Sequence, residues 1–98
     1  MKVKILRSAS EDLQDGYRFY ERQSPGAGDY FIDSLFSDID SLALNGGIHP
    51  IYKPPFHRML SKRFPYAIFY RMDGPHVIVY AVLDSRRDPK WLDRRLLS

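Results

Sequence analysis

The chain contains 98 residues and has a mass of 11.5 kDa, a length that predicts one domain with a single core. Cysteine is absent, which excludes disulfide bonds, a thiol nucleophile and thiolate zinc sites, and 44% hydrophobic residues exclude a disordered chain. The net charge of +3 would assist an encounter with nucleic acid or an acidic protein segment. No apolar run approaches the ~20 residues of a membrane helix, and the first residues lack a secretory signal. We therefore expect a cytoplasmic protein without membrane contact.

The chain begins with a strand followed by a helix. A short β-branched run around Val3 and Ile5 predicts the strand. Ser8 and Glu11 have the spacing of a capping box, in which each side chain satisfies a free N–H group at the start of a helix. Apolar residues at helical spacing then predict a helix from about residue 9 to residue 23.

A second helix follows after a short connection. Ser24 and Pro25 are expected to end the first helix and open the second, with Ser24 as its cap, and residues 45–47 to end it. Because the connection is short, the two helices should form an antiparallel hairpin. Four aromatic residues of these helices are interpreted as helix–sheet packing: Tyr17, Tyr20, Phe31 and Phe36.

The next part of the chain is predicted to form a loop and three strands. Three prolines restrict residues 48–55, which we interpret as a loop. Strand-like runs cover residues 56–60, 66–72 and 76–83, and Asp73-Gly74 marks a hairpin between the last two. Both sides of the last strand are apolar, so it should be central, with Val77, Val79, Ala81 and Leu83 on one side and Ile78, Tyr80 and Val82 on the other.

The C-terminal segment is basic. From Arg58 onward, nine Lys or Arg residues accompany four Asp residues. Asp88 and Pro89 predict the cap and first residue of a short helix containing Trp91. The predicted fold is α+β with the order β-α-α-β-β-β, in which a helical hairpin covers one face of a largely antiparallel four-stranded sheet and a short basic segment ends the chain.

Several motifs occur in a fixed order along the chain. Ser24-Pro25 opens the second helix, residues 64–71 read FPYAIFYR, residues 77–82 read VIVYAV, and residues 85–89 read SRRDP, followed by Trp91 and Arg94. Together they resemble the RelE/ParE superfamily of toxins from type II toxin-antitoxin systems, over nearly the whole chain. The resemblance implies one of two activities: RelE-like toxins cut mRNA in the ribosome, whereas ParE-like toxins bind DNA gyrase and trap it on DNA.

A RelE-like ribonuclease needs a base, an acid and cations that stabilise the developing phosphorane charge. By resemblance, Arg58 and either Arg86 or Arg87 fit two of the basic positions of RelE-like toxins. His57 could serve as a base, because its side chain titrates near neutrality. These four residues are the candidate catalytic residues of the ribonuclease alternative.

Two positions depart from the RelE-like pattern. Ala67 follows Tyr66 where RelE-like toxins have an arginine, and Trp91 is the aromatic residue near the place of their C-terminal tyrosine. An indole has no hydroxyl to transfer a proton. These departures favour the ParE-like activity, a toxin that binds its target rather than an enzyme.

Under the ParE-like interpretation, the basic residues of the sheet and C-terminal segment contact the target. The candidate target-binding residues are Arg58, Arg71, Arg86, Arg87, Trp91 and Arg94. Structural roles compete with this interpretation: Arg86 and Arg87 could form surface ion pairs with nearby aspartates, and Trp91 could plug the core.

The resemblance also implies a cognate antitoxin, a small and often acidic protein whose C-terminal segment masks the toxin. An amphipathic peptide could lie between hairpin and sheet, with acidic residues at the arginine-rich end. No metal is expected, because His49, His57 and His76 lack metal-ligand spacing, and no cofactor is expected, because no glycine-rich phosphate loop occurs. A catalytically inert interaction module is the remaining alternative.

Overall fold

The protein, described for residues 1–97 by a computed structural model, has a five-stranded sheet between a helical hairpin and a C-terminal helix. The elements in chain order are β1 (Lys2–Ile5), α1 (Arg7–Gln23), α2 (Ala27–Asp40), α3 (Leu42–Asn45), β2 (Ile51–Lys53), β3 (Phe56–Leu60), β4 (Tyr66–Asp73), β5 (His76–Asp84) and α4 (Pro89–Leu97). The strand order is β1-β5-β4-β3-β2, and neighbours are antiparallel except for the parallel pair β1 and β5. The predicted α+β class and helical hairpin are confirmed. Among the helices of residues 1–97, none has the length and apolarity needed to cross a membrane.

The β4–β5 hairpin forms the centre of the sheet. Its turn contains Gly74 with a φ of +57°, a left-handed conformation that glycine adopts without a Cβ clash. The hairpin predicted from Asp73-Gly74 is therefore present, with the glycine at the position that needs a positive φ. On its other side β5 pairs with β1, with Lys4 opposite Ile78. β5 therefore has a neighbour on each side, as its apolar composition predicts.

A β-bulge changes the side-chain alternation along β5. The pairing register shifts between Phe69 and Tyr70, which leaves Tyr80 as the extra residue of β5. Beyond this point Val82 packs under the helical hairpin, whereas Ala81 packs under α4. The predicted strict alternation is therefore wrong beyond Tyr80, because an inserted residue moves every later side chain to the opposite face.

A fifth strand replaces part of the predicted loop at residues 48–55. Ile51 pairs with His57, and Lys53 pairs with Phe56. The prolines flank this short strand rather than interrupt it, so residues 51–53 keep their backbone N–H groups. The prediction of four strands is wrong for this reason, and β2 forms the edge of the sheet.

α1 begins at Arg7, two residues before the predicted start, so Ser8 lies within the helix. No side chain caps this helix, and the Ser8 hydroxyl instead donates to the Tyr80 carbonyl at 2.6 Å. The predicted capping box is therefore wrong. Ser8 attaches the first turn of α1 to the bulged residue of β5.

A glutamate, rather than the predicted Ser24, caps α2. The Glu21 carboxylate accepts the backbone N–H groups of Gly26 and Gly28 at 3.0–3.2 Å, and Gly26 has a φ of +89°. Ser24 is the C-cap residue of α1, where its N–H donates to the Tyr20 carbonyl. The apolar run of the second helix is also divided, because α2 ends at Asp40 and α3 continues to Asn45.

The core beneath the hairpin is rich in aromatic contacts. Phe31 is fully buried, with ring centroids 5.2 Å from Tyr20 and 4.9 Å from Tyr66. Tyr17 instead lies close to Gly28 in the neighbouring helix. The predicted packing role is confirmed for Phe31 and Tyr20 but wrong for Phe36, which is 39% exposed.

α4 covers part of the opposite face of the sheet. The Asp88 carboxylate accepts the Lys90 N–H at 2.9 Å, and Pro89 is the first residue of the helix, as predicted. Leu92 and Leu96 are buried in a second core. The remaining members of that core come from the sheet: Phe56, Ala67, Phe69, Ala81 and Leu83.

Candidate target-binding site

The turn between β5 and α4, residues 85–88, carries two of the predicted arginines. Ser85 fixes the turn to the β3–β4 connection, because its N–H and hydroxyl both donate to the Pro65 carbonyl at 2.9 and 3.1 Å. Asp88 then caps the first turn of α4 by accepting the Lys90 N–H. Arg86 and Arg87 are exposed on this anchored turn, where a macromolecular target could reach them.

Arg86 forms an ion pair with Asp84. Its Nε and Nη2 atoms donate to the two carboxylate oxygens at 3.0 and 2.8 Å, and its backbone N–H donates to Asp84 Oδ1 at 2.9 Å. The hydrogen bonds from Arg86 lower the pKa of Asp84, and the same partnership raises the pKa of Arg86. Asp84 therefore offsets much of the charge that Arg86 offers to a partner.

Arg87 stacks on Trp91. The guanidinium carbon lies 3.8 Å from the centre of the indole, and the guanidinium of Arg95 lies 5.7 Å from the same ring. Trp91 is half-buried against the α4 core. The indole therefore has two roles. One side packs on the core, and the ring also orients the exposed Arg87 through a cation–π contact.

Arg95 connects α4 to the rest of the molecule. Its Nη2 donates to both oxygens of Asp12 at 2.8 and 2.9 Å, and Asp12 is only 7% exposed. Asp12 Oδ2 also accepts the Val82 N–H at 3.0 Å. Val82 lies beyond the last residue of β5 that pairs with β1, so its N–H has no partner from that strand. Burial raises the pKa of Asp12, although the hydrogen bonds from Val82 and Arg95 oppose the rise.

A groove of about 340 Å³ lies between α1 and this part of α4. Its lining includes Arg18, Arg22, Arg87, Arg95, Tyr66 and Trp91, together with three aspartates. Burial raises the pKa of Tyr66 to about 12, so its hydroxyl stays protonated at neutral pH. The groove therefore combines arginine donors and aromatic surface, both of which are enriched at protein-binding surfaces, with three carboxylates.

The other predicted target-binding residues lie elsewhere. Arg94 is exposed on α4. Arg58 lies on β3, with its guanidinium 5.0 Å from the ring centre of Tyr52, and Arg71 lies near the far end of β4. The structure brings Arg86, Arg87 and Trp91 together and adds Arg95, but it leaves Arg58 and Arg71 on the sheet.

His57 lies on the hairpin-covered side of the sheet. Its ring stacks on Tyr70 with centroids 5.0 Å apart, and its Nδ1 lies 2.7 Å from the His49 carbonyl. Neighbouring residues of a strand face opposite sides, so His57 and Arg58 point away from each other. Within residues 1–97, no group of three or more potential metal ligands is arranged around a common point.

The buried Asp12–Arg95 pair was not predicted from the sequence. Asp12 lies among Ala9, Leu13 and Gly16, which are all buried on α1. A carboxylate within an apolar helical stripe is the signal that could have identified it, because such a group requires a partner. Its partner is 83 residues away along the chain, and only the position of α4 identifies it.

Comparison with known proteins gives the family. A search of curated proteins finds no match. A solved structure described as "Chromosomal ParDE TA system from P. aeruginosa" has a TM-score of 0.76 and 20% identity, covering 86% of this chain and 95% of that one, which establishes a shared fold. The family model described as "ParE toxin of type II toxin-antitoxin system, parDE" matches residues 3–89. The chain therefore belongs to the ParE family of type II toxins.

Proposed function

We propose that this toxin inhibits growth by binding DNA gyrase and that a cognate antitoxin neutralises it. The observation that carries the proposal is the exposed arginine–tryptophan surface at the β5–α4 turn, combined with the dispersal of the candidate ribonuclease residues. The family assignment is consistent with a target-binding toxin.

The positions of the candidate catalytic residues do not favour the ribonuclease alternative. A general base and a charge-stabilising cation must both reach the reacting phosphate. His57 packs on Tyr70 on one side of the sheet, whereas Arg58 contacts Tyr52 on the other. Arg86 is held by Asp84 beyond the end of β5. These residues do not share one reaction centre.

The surface at the β5–α4 turn has the chemistry of a protein-binding site. Arginine and tryptophan are enriched among residues that dominate binding energy, particularly where an aromatic ring supports a cation. Arg87 and Trp91 form such a unit, and Arg94 extends it along α4. A protein target with acidic residues around an apolar centre would complement this surface.

Antitoxin neutralisation is supported by the same region. The solved relative is described as a ParDE toxin-antitoxin system. Two groove arginines, Arg18 and Arg95, are paired with aspartates, whereas Arg22 and Arg87 face the groove and can meet an acidic segment. Phe19, which is 45% exposed, can contact an apolar side chain of the same segment. An amphipathic acidic peptide therefore fits the chemistry of this groove.

Two assays performed on the same purified chain test the proposal. We expect inhibition of gyrase supercoiling and no cleavage of mRNA on translating ribosomes. Ribosome-dependent cleavage that requires Arg58, Arg86 and Arg87 would instead support the ribonuclease. Expression that leaves growth unaffected in the absence of any antitoxin would support an inert interaction module.

A further inference from the structure

The half of the sheet that α4 leaves uncovered displays four basic residues from three strands, β1, β3 and β4. Val3 and Ile5 pack against the hairpin core, so Lys2 and Lys4 of β1 face the opposite side. Tyr70 and Met72 also face the hairpin core, which places Arg71 of β4 on the same side as these lysines. Arg58 of β3 joins them, as its contact with Tyr52 indicates.

The strand pairing arranges these cations in a continuous patch. Lys4 pairs with Ile78, and Ile78 pairs with Arg71, so the two cations are two strands apart, or about 10 Å. Arg58 pairs with Phe69, two residues along β4 from Arg71. We call Lys2, Lys4, Arg58 and Arg71 the sheet patch.

The charges of the sheet patch are available to a partner. Lys2 and Lys4 are exposed, and Arg71 and Arg58 are half-buried. Within the described residues, no ion pair joins any of these four cations to a carboxylate. Asp73 lies at the margin of this face and forms no ion pair with them in that part of the chain. The patch therefore has a local charge of about +3 if Asp73 is included.

The exposed chemistry favours phosphate over an apolar peptide. An amphipathic helix needs accessible apolar pockets. Here Ile78, between Lys4 and Arg71, is 6% exposed, and Phe56, two residues from Arg58 on β3, is 7% exposed. Leu60, two residues from Arg58 on β3, is 57% exposed but is a single apolar side chain rather than a groove. The patch itself presents ammonium and guanidinium groups spaced across a sheet, which suits a chain of phosphates.

We infer that the sheet patch binds the sugar–phosphate backbone of duplex DNA without sequence specificity. The interaction is separate from the arginine–tryptophan surface of the β5–α4 turn. A toxin using both surfaces could contact a DNA-bound protein and its DNA at once. Binding to DNA does not depend on the proposed gyrase target, and only its contribution to gyrase inhibition rests on that function.

The test measures binding of the full chain to a short fluorescent DNA duplex by anisotropy at several salt concentrations. Contact with about four phosphates gives a slope of log affinity against log salt near −3.6. We expect the Lys4→Glu/Arg71→Glu variant to lose about two units of that slope. The matched control is Lys62→Glu/Arg63→Glu, which changes the net charge equally but alters the β3–β4 turn.

Several results would overturn the inference. They are failure of the parent chain to bind the duplex at low salt, an equal loss of binding in both charge-reversal variants, and tighter binding to an RNA hairpin than to DNA. Circular dichroism of each variant checks that the sheet remains folded. Supercoiling assays on the same variants separate the two proposals. DNA binding without gyrase inhibition would contradict only the proposed gyrase target, whereas gyrase inhibition without DNA binding would contradict only the DNA-binding inference.

Discussion

Gly16 allows the ring of Phe31 to pack directly against α1. A Cβ atom at this position would lie 2.4 Å from Phe31 Cζ and 2.6 Å from Cε2, and both Gly16 and Phe31 are buried. We predict that Gly16→Ala destabilises the fold by about 1–3 kcal/mol, because the Phe31 ring that would have to move is fully buried and packs on Tyr20 and Tyr66. In an open position the same change would stabilise the helix by about 1 kcal/mol, so the sign of the effect is informative.

Urea unfolding of the Gly16→Ala variant measures this effect. Gln14→Ala, on the exposed side of the same helix, is the control and should change stability by less than about 0.5 kcal/mol. A Gly16→Ala variant as stable as the parent would show that α1 and α2 can separate without cost.

Other single residues show why local signals predict partners poorly. Ser8 has the spacing of a capping residue, yet its hydroxyl donates to Tyr80, 72 residues away. Glu21 caps the next helix, although nothing in its immediate sequence marks it as a cap. Capping rules consider only neighbours along the chain, whereas hydroxyl and carboxylate groups bond to whichever backbone group the fold brings near.

At the scale of elements, long periodic segments were predicted well and short or irregular ones were not. The two helices of the hairpin and the β4–β5 turn follow from apolar spacing and Asp73-Gly74. β2 has three residues between prolines, and the bulge at Tyr80 depends on pairing with β4. Periodicity cannot detect either feature, because one is too short and the other arises from the register of two strands.

The attachment of α4 depends on the Asp12–Arg95 pair. Arg95→Met would leave the Asp12 carboxylate buried with the Val82 N–H still donating to it but without its charged partner, which we expect to cost about 2 kcal/mol at pH 7. Removal of the arginine also removes two effects that lower the Asp12 pKa. That pKa, already raised in the folded chain, would therefore rise further above its unfolded value of 3.8.

This shift sets the pH dependence of the Arg95→Met variant. A carboxyl whose pKa is raised by folding binds a proton more readily in the folded chain, so acidification favours the folded state. The stability difference between variant and parent should shrink as the pH falls from 7 toward about 4.5. Urea unfolding at both pH values measures it, with Arg94→Met, which alters an exposed neighbour, as the control. A loss of stability that does not change with pH would show that Arg95 acts through packing alone.

At the scale of the whole molecule, the fold sorts the basic C-terminal part of the chain into different environments. Arg95 forms a buried ion pair with Asp12, and Arg86 forms a surface ion pair with Asp84. Arg87 stacks on Trp91 and stays exposed. The sequence predicts the excess of positive charge, and the family resemblance points to the arginines of the turn. The sequence does not predict which arginine pairs with which residue, because the position of α4 over the sheet decides these contacts.

The double substitution Arg86→Ala/Arg87→Ala separates target binding from folding. Both side chains are exposed, so the thermal midpoint should change little, whereas the concentration needed to inhibit gyrase should rise about tenfold if these arginines are central to the contact. Lys62→Ala/Arg63→Ala removes the same charge from a different turn and should leave inhibition near that of the parent. A loss of inhibition seen only in the Arg86→Ala/Arg87→Ala variant would then reflect a lost contact rather than a lower net charge. Supercoiling inhibition and growth arrest are measured for all three proteins. The double variant removes both exposed cations of the β5–α4 turn. If it arrests growth as strongly as the parent does, the target contact must therefore lie elsewhere on the molecule.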